Sequence, residues 1–198
     1  MCCRPLSMKR VAIFGSPGSG KSTLARHLSD RTGIPVFHLD KHFFSPGWVI
    51  QSDEVFTAAI AGIVADEQWI TDGNYTREST IAGRFDRADT LILLEQPRLV
   101  CLWRVVRRIL KNYGQVRADQ AAGCPERLDW DFLRFVWNYP AKATQIRQLL
   151  CEQPADKIVL ILRSNDDVKR FLESVAPVRK RAYTARHWPS SVDGRVQP

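Results

Sequence analysis

The chain carries 198 residues with a formal charge of +8, and its 44% hydrophobic and 25% charged residues are the balance of an ordinary globular domain. A single domain with a substantial core is expected, with no room for an added domain of the large ATPase type, and no apolar run nears the roughly 18 residues of a membrane span. Residues 1–7 lack a secretory apolar core, so a cytoplasmic location is expected; five cysteines (Cys2, Cys3, Cys101, Cys124, Cys151) without C-x-x-C spacing argue against a disulfide or zinc framework.

Met8-Lys9-Arg10 leads straight into Val11-Ala12-Ile13-Phe14, an apolar run read as a buried strand, which makes Met8 a candidate translation start. Gly15-Ser16-Pro17-Gly18-Ser19-Gly20-Lys21-Ser22 follows at once, with Thr23 behind it. Gly15, Gly20, Lys21 and Ser22 stand at the spacing of a phosphate-binding loop (P-loop), and each has a separate task. The glycines let the backbone curl so that successive N–H groups face phosphate oxygens. Lys21 is expected to reach the β- and γ-phosphates, and the Ser22 hydroxyl to ligate Mg²⁺. The helix that opens at Ser22 adds the attraction of its N-terminal dipole. The run from Gly15 to Thr23 is therefore expected to bind a nucleoside triphosphate.

Gly33 closes that helix, and Ile34 to Leu39 reads as a second buried strand with Asp40 at its carboxyl end. Lys41 to Ile50 is an aromatic loop turned by Ser45-Pro46-Gly47. Its His42, Phe43, Phe44 and Trp48 suit either nucleobase stacking or a plain apolar cover. Ser52 or Asp53 caps a helix through Asp66. Trp69-Ile70-Thr71 is a short strand that ends at Asp72-Gly73-Asn74-Tyr75, and a polar helix over 77–85 follows. Asp89 to Glu95 forms another buried strand, and Pro97 starts a long helix to about Asn112. After a loop from Tyr113 to Leu128, a helix from Asp129 to Leu150 is expected to break near Pro140. Lys157 to Leu162 is the last strand, and Asn165 or Asp166 caps a helix to Val175.

Strands alternating with helices predict a three-layer α/β fold with a central, mainly parallel five-stranded sheet and a helical lid over about 104–128. The domain is placed at 8–176. From Pro177 onward five basic residues (Arg179, Lys180, Arg181, Arg186, Arg195) face only Asp193, which reads as a basic, disordered tail. Ligands of such sheets bind at the carboxyl ends of the strands, where the P-loop, Asp40, Asp72, Glu95 and Arg163 all fall. Asp72 and Asp40 are both candidates to hold a metal through water, and Asp40 also faces the aromatic loop, where an acceptor would be oriented. Arg104, Arg107, Arg108, Lys111 and Arg117 follow one another with no acid between them. Arg104, Arg107 and Arg108 are expected near one helix face, as a lid that closes over a transferring phosphoryl group.

Ile13 to Thr23, His38-Leu39-Asp40 to Pro46-Gly47-Trp48, Trp69 to Tyr75, the arginine-rich helix and Gly123-Cys124-Pro125-Glu126-Arg127-Leu128 together carry a resemblance. Over about Met8 to Val175 the chain resembles the small P-loop kinases of nucleoside monophosphates, shikimate and gluconate. It is similar more closely to the bacterial DNA topology modulation proteins, which are adenylate kinase-like. The resemblance implies an ATP- and Mg²⁺-dependent phosphotransferase, with Asp72 in the place of the first residue of the adenylate kinase Asp-Gly-Phe-Pro-Arg motif, as the metal-water carboxylate. Asn74-Tyr75 replaces Phe-Pro-Arg, so the arginine that grips the acceptor phosphate is missing. The second strand lacks the Thr-Gly-Asp signature as well, and both departures argue against AMP as acceptor. Arg163-Ser164-Asn165 resembles the loop that touches the donor adenine. The expected roles are charge neutralisation by Lys21, Arg104, Arg108 and Arg117, and acceptor orientation by Asp40. A small-molecule acceptor and a monomer or homodimer without a membrane partner are expected. The alternative is a DNA-associated regulator that uses ATP as a switch, supported only by the basic tail and lid; no nucleic-acid-binding module is recognisable.

Overall fold

The computed structural model describes residues 8–177, so the expectations for residues 1–7 and for the tail from 178 fall outside it. In chain order the elements are β1 (Arg10–Gly15), α1 (Lys21–Thr32), β2 (Val36–His38), α2 (Asp40–Phe43), β3 (Phe44–Ser45), β4 (Val49–Ile50), α3 (Asp53–Ala65) and β5 (Trp69–Asp72). They continue with α4 (Thr76–Ile81), α5 (Arg84–Arg87), β6 (Thr90–Leu94), α6 (Arg98–Asn112), α7 (Trp130–Cys151), β7 (Ile158–Leu162) and α8 (Asn165–Ser174). Five strands form one parallel sheet in the order β2-β5-β1-β6-β7, and β3 and β4 make a separate antiparallel ribbon.

The two-residue period of the strands builds the three layers. Ala12, Phe14, Leu91 and Leu93 turn to one face and pack with Phe56 and Ile60 of α3, Phe85 of α5 and Ile146 of α7. Val11, Ile13, Ile70 and Ile92 turn to the other and pack with Leu24 and Leu28 of α1 and Phe171 of α8. Buried on both faces, these strands read as continuous apolar runs. The register sets Ile13 and His38 each opposite Asp72, and Gly15 opposite Leu94. The carboxyl ends of β2, β5, β1 and β6 therefore form one edge.

Three expected segments differ. The aromatic loop expected over Lys41 to Ile50 holds the short helix α2 and the β3–β4 ribbon. The helix from Asp129 does not break, and α7 runs through Pro140 as a single helix of 22 residues. Its buried stripe of Val136, Tyr139, Ala143, Ile146 and Leu150 crosses the proline, and that packing outweighs the roughly 3 kcal/mol an interior proline costs. The polar helix expected over 77–85 is two short helices, α4 and α5, parted at Ala82-Gly83.

That break turns Arg84 into the core, where it is fully buried. Its Nε donates to Thr71 Oγ1 at 2.9 Å, Nη1 to Gly73 O and Ser79 Oγ at 3.1 Å each, and Nη2 to Thr71 O at 3.3 Å. The guanidinium also lies 4.5 Å from the centre of the Phe14 ring. Burial pulls its pKa down to about 9, against the opposing charge of Asp72. Arg84 thus clamps the backbone on either side of Asp72. Arg84→Met keeps the bulk but removes these donors, and a loss of about 2–4 kcal/mol is expected from unpaired buried carbonyls. A urea midpoint that falls at constant slope would record it; an unchanged midpoint would mean that relief of charge burial cancels the loss.

Candidate functional site

The P-loop joins β1 to α1 beneath an open cleft of about 1280 Å³. Gly15 and Gly18 have φ of 147° and 80°, and a Cβ at Gly18 would lie 2.4 Å from Cys101 O, so the loop is wedged against α6. Lys21 folds back over it, its Nζ donating to Gly15 O at 2.7 Å and Ser16 O at 2.9 Å. Burial lowers the Lys21 pKa, while the charges of Asp72 and Asp40 oppose that shift. Pro17 to Thr23 line the cleft; Gly15 and Ser16 are buried and are not among its lining residues.

Asn74 pins the start of the loop. Its Nδ2 donates to Gly15 O at 2.8 Å, and its Oδ1 accepts from Gly15 N and from Tyr139 Oη, both at 2.9 Å. The side-chain amide thereby pairs with Gly15 as a neighbouring strand would. Gly73 must be glycine here, since φ is 146° and a Cβ would lie 2.9 Å from Leu39 Cβ.

Asp72 is 5% exposed at the end of β5, with Oδ1 2.8 Å from His38 Nδ1. Burial by itself would raise its pKa. The His38 hydrogen bond and charge, the Ser22 hydroxyl and the Lys21 ammonium outweigh burial and hold the carboxyl below the usual range. Ser22 and Asp72 together offer the hard oxygen donors that suit Mg²⁺ bound mainly by phosphate and water. Among the described residues no group of three or more His, Cys, Asp and Glu gathers to hold a metal by protein ligands alone.

Asp40 opens α2 on the same cleft and accepts from Tyr75 Oη at 2.7 Å. Solvent reaches its side chain through the cleft, yet the protein around it raises the carboxyl pKa, and the Tyr75 hydrogen bond only partly offsets this. Burial, with Asp40 beside it, pushes the Tyr75 phenol up in turn.

Arg104, Arg108 and Arg117 line the cleft. Arg104 Nη2 donates to Asn165 Oδ1 at 3.1 Å and Nη1 to Gly18 O at 3.4 Å. Glu126, outside the basic run, pairs with two of its arginines. This residue is 4% exposed, and its Oε1 lies 3.0 Å from Arg108 Nε and 2.8 Å from Arg117 Nε, as ion pairs. Neither pair has an aligned N–H bond, so charge holds the three together. Burial, with Arg117 adding its like charge, lowers the Arg108 pKa against the pull of Glu126. Arg107 does not join them: about 100° per residue turns it away from Arg108, and it lies over the Trp103 ring outside the cleft.

Arg163, expected to contact the donor, is not among the residues that line the cleft. Its Nε lies 3.4 Å from Glu95 Oε2, and Glu95 holds Arg147 Nε at 2.8 Å, so Arg163 is drawn off the cleft lining. Asn165, two residues on, is the member of that loop on the cleft. The sequence reading also missed His38, Asn74, Tyr75 and Glu126 as site residues. Asn74 and Tyr75 follow Asp72-Gly73 directly, which was a usable signal; His38 and Glu126 meet their partners only through the fold.

No protein-family model and no curated protein matches the chain. Among solved structures, shikimate kinase from Acinetobacter baumannii in complex with shikimate aligns at TM-score 0.53 and 13% identity, over 84% of this chain and 90% of that one. A protein of Chloroflexus aurantiacus provisionally assigned as a kinase aligns at TM-score 0.51 and 15% identity, over 84% and 96%. No helix among the described residues is long and apolar enough to cross a membrane. The parallel order β2-β5-β1-β6-β7, with helices on both faces and the P-loop after β1, is the α/β fold of P-loop kinases.

Proposed function

We propose that the protein is an ATP-dependent phosphotransferase that passes the γ-phosphoryl group to a small-molecule acceptor. One observation carries this reading: Lys21 of the P-loop, Asp72 and Asp40 share a single cleft, with room for donor and acceptor together. The backbone N–H groups of Gly18 to Ser22 bind the donor phosphates, and Lys21 exchanges its loop carbonyls for the β- and γ-oxygens. Arg104 adds positive charge where the phosphoryl group passes, with Arg108 and Arg117, held by Glu126, beside it. Asp40 orients the acceptor hydroxyl and takes its proton, and Tyr75 holds that carboxyl in place. Mg²⁺, when bound, supplies charge neutralisation on the phosphates, with Ser22 as its ligand and Asp72 as the carboxylate behind its water. DNA association remains only the alternative suggested by the resemblance.

Release of ADP, measured across nucleosides, nucleotides and small hydroxy acids with duplex DNA as a parallel additive, tests this. Turnover that requires one small acceptor supports the reading; DNA-stimulated hydrolysis without acceptor turnover would sink it. Asp72→Asn is expected to lower turnover about 10–100-fold and to raise the Mg²⁺ concentration needed, as loss of an outer partner does at metal sites. The depressed carboxyl also contributes stability that is present above the ordinary aspartate value and lost as pH falls through its folded value. Asp72→Asn should therefore flatten this part of the acid limb in a melt against pH. An unchanged Mg²⁺ requirement would remove Asp72 from the metal role.

A further inference from the structure

The acceptor half of the cleft is built from the β3–β4 ribbon and the loop after α6, and the two are fastened together. Trp48 Nε1 donates to Pro125 O at 3.1 Å, Gly47 N to Gly123 O at 2.9 Å, and Cys124 Sγ to Ser45 O at 3.2 Å. Trp48 has φ of 66°, the one non-glycine residue in the left-handed region among the described residues. A bulky side chain there is strained, and such strain persists where the surroundings over-determine it, often at ligand sites. Phe44 meets Trp48 edge-on at 5.2 Å, and both line the cleft that holds Asp40.

The cations beside this aromatic wall are already matched. Glu126 takes Arg108 and Arg117, and Arg117 also lies 3.6 Å from Asp119. Arg127, over the Trp48 ring, pairs with Asp129 at 3.5 Å. An acceptor phosphate or carboxylate would have to compete with buried Glu126 and sit close to Asp40. Like charges brought together beside the buried carboxylate of Glu126 repel.

Resting on the phosphotransferase reading above, we propose that the acceptor is an uncharged hydroxyl compound with a flat ring, of the chemical class of nucleosides. Glu126 sets that choice by engaging the arginines an acceptor anion would need. The ring lies against Trp48 and Phe44, and the hydroxyl meets Asp40. The hydroxyl oxygen bonds to the γ-phosphorus as the bond from that phosphorus to the β–γ bridging oxygen breaks. The hydroxyl proton passes to Asp40, and ADP leaves.

The test compares ADP release by the full chain with nucleosides, their 5′-monophosphates and ring-free hydroxy acids. For the best nucleoside, kcat/KM is expected to exceed that of its monophosphate about a hundredfold, and Glu126→Gln to narrow this ratio about tenfold. Trp48→Ala should raise the acceptor KM about tenfold, the worth of one stacked base, with a far smaller change in the KM for ATP. Preferred turnover of a monophosphate or a ring-free acid overturns this inference and leaves the phosphotransferase reading standing. A ratio unmoved by Glu126→Gln overturns the role of Glu126. Failure of every acceptor overturns both readings.

Discussion

Lys21→Ala should lower phosphoryl transfer about a thousandfold, while the protein stays folded. Removal of one preorganised charge or donor from a developing phosphoryl or oxyanion typically costs about 10²–10³ in kcat, about 3–4 kcal/mol. Lys21 stands at the upper end because its ammonium is placed by the same loop whose N–H groups face the phosphates; before ATP binds it donates to Gly15 O and Ser16 O. Weaker ATP binding should accompany the fall in kcat, read by titration calorimetry and single-turnover measurements on the same preparation. Lys21→Arg should not restore the rate, since a planar guanidinium cannot replace a compact ammonium beneath this backbone curl. A loss smaller than about tenfold would mean that the loop does not engage the transferring group.

Asp40→Asn should lower acceptor turnover by about 10²–10⁴, the range for a lost general base, and leave ATP affinity largely intact. The substituted amide keeps an oxygen for Tyr75 Oη, so the change removes basicity more than position. The wild-type pH profile carries a second signature. The cleft raises the Asp40 pKa, so kcat/KM should fall, as pH drops, at a higher pH than an ordinary carboxylate would give. Because the Tyr75 hydrogen bond lowers that pKa, Tyr75→Phe should move the acid limb to still higher pH. An acid limb that does not move in Tyr75→Phe would assign it to another group.

How far the site was legible depended on how its parts are joined. The P-loop is contiguous, and the roles expected of its glycines, Lys21 and Ser22 rest on local backbone geometry, so spacing alone could suggest them. The position of Asp40 and Asp72 was legible because parallel strands deliver their carboxyl ends to one edge. His38 was not, since its task depends on the register that sets β2 against β5 across 34 residues. Glu126 lies outside the basic run that suggested a lid, and only the loop after α6 brings it to Arg108 and Arg117. Arg163 stands at the right strand end, but Glu95 competes for it.

The sequence by itself determined the α/β alternation, the loop from Gly15 to Ser22 after the first strand, and the sheet edge where Asp40 and Asp72 stand. Hydrophobic period and backbone conformation act over a few residues, and both are written in the order of the side chains. Only the tertiary structure decided which polar and charged groups are spent on one another: His38 on Asp72, Glu126 on two arginines, Glu95 on Arg147 and Arg163. Such pairings form between elements far apart in the chain, and their strength depends on distance and burial, which no spacing in the sequence records.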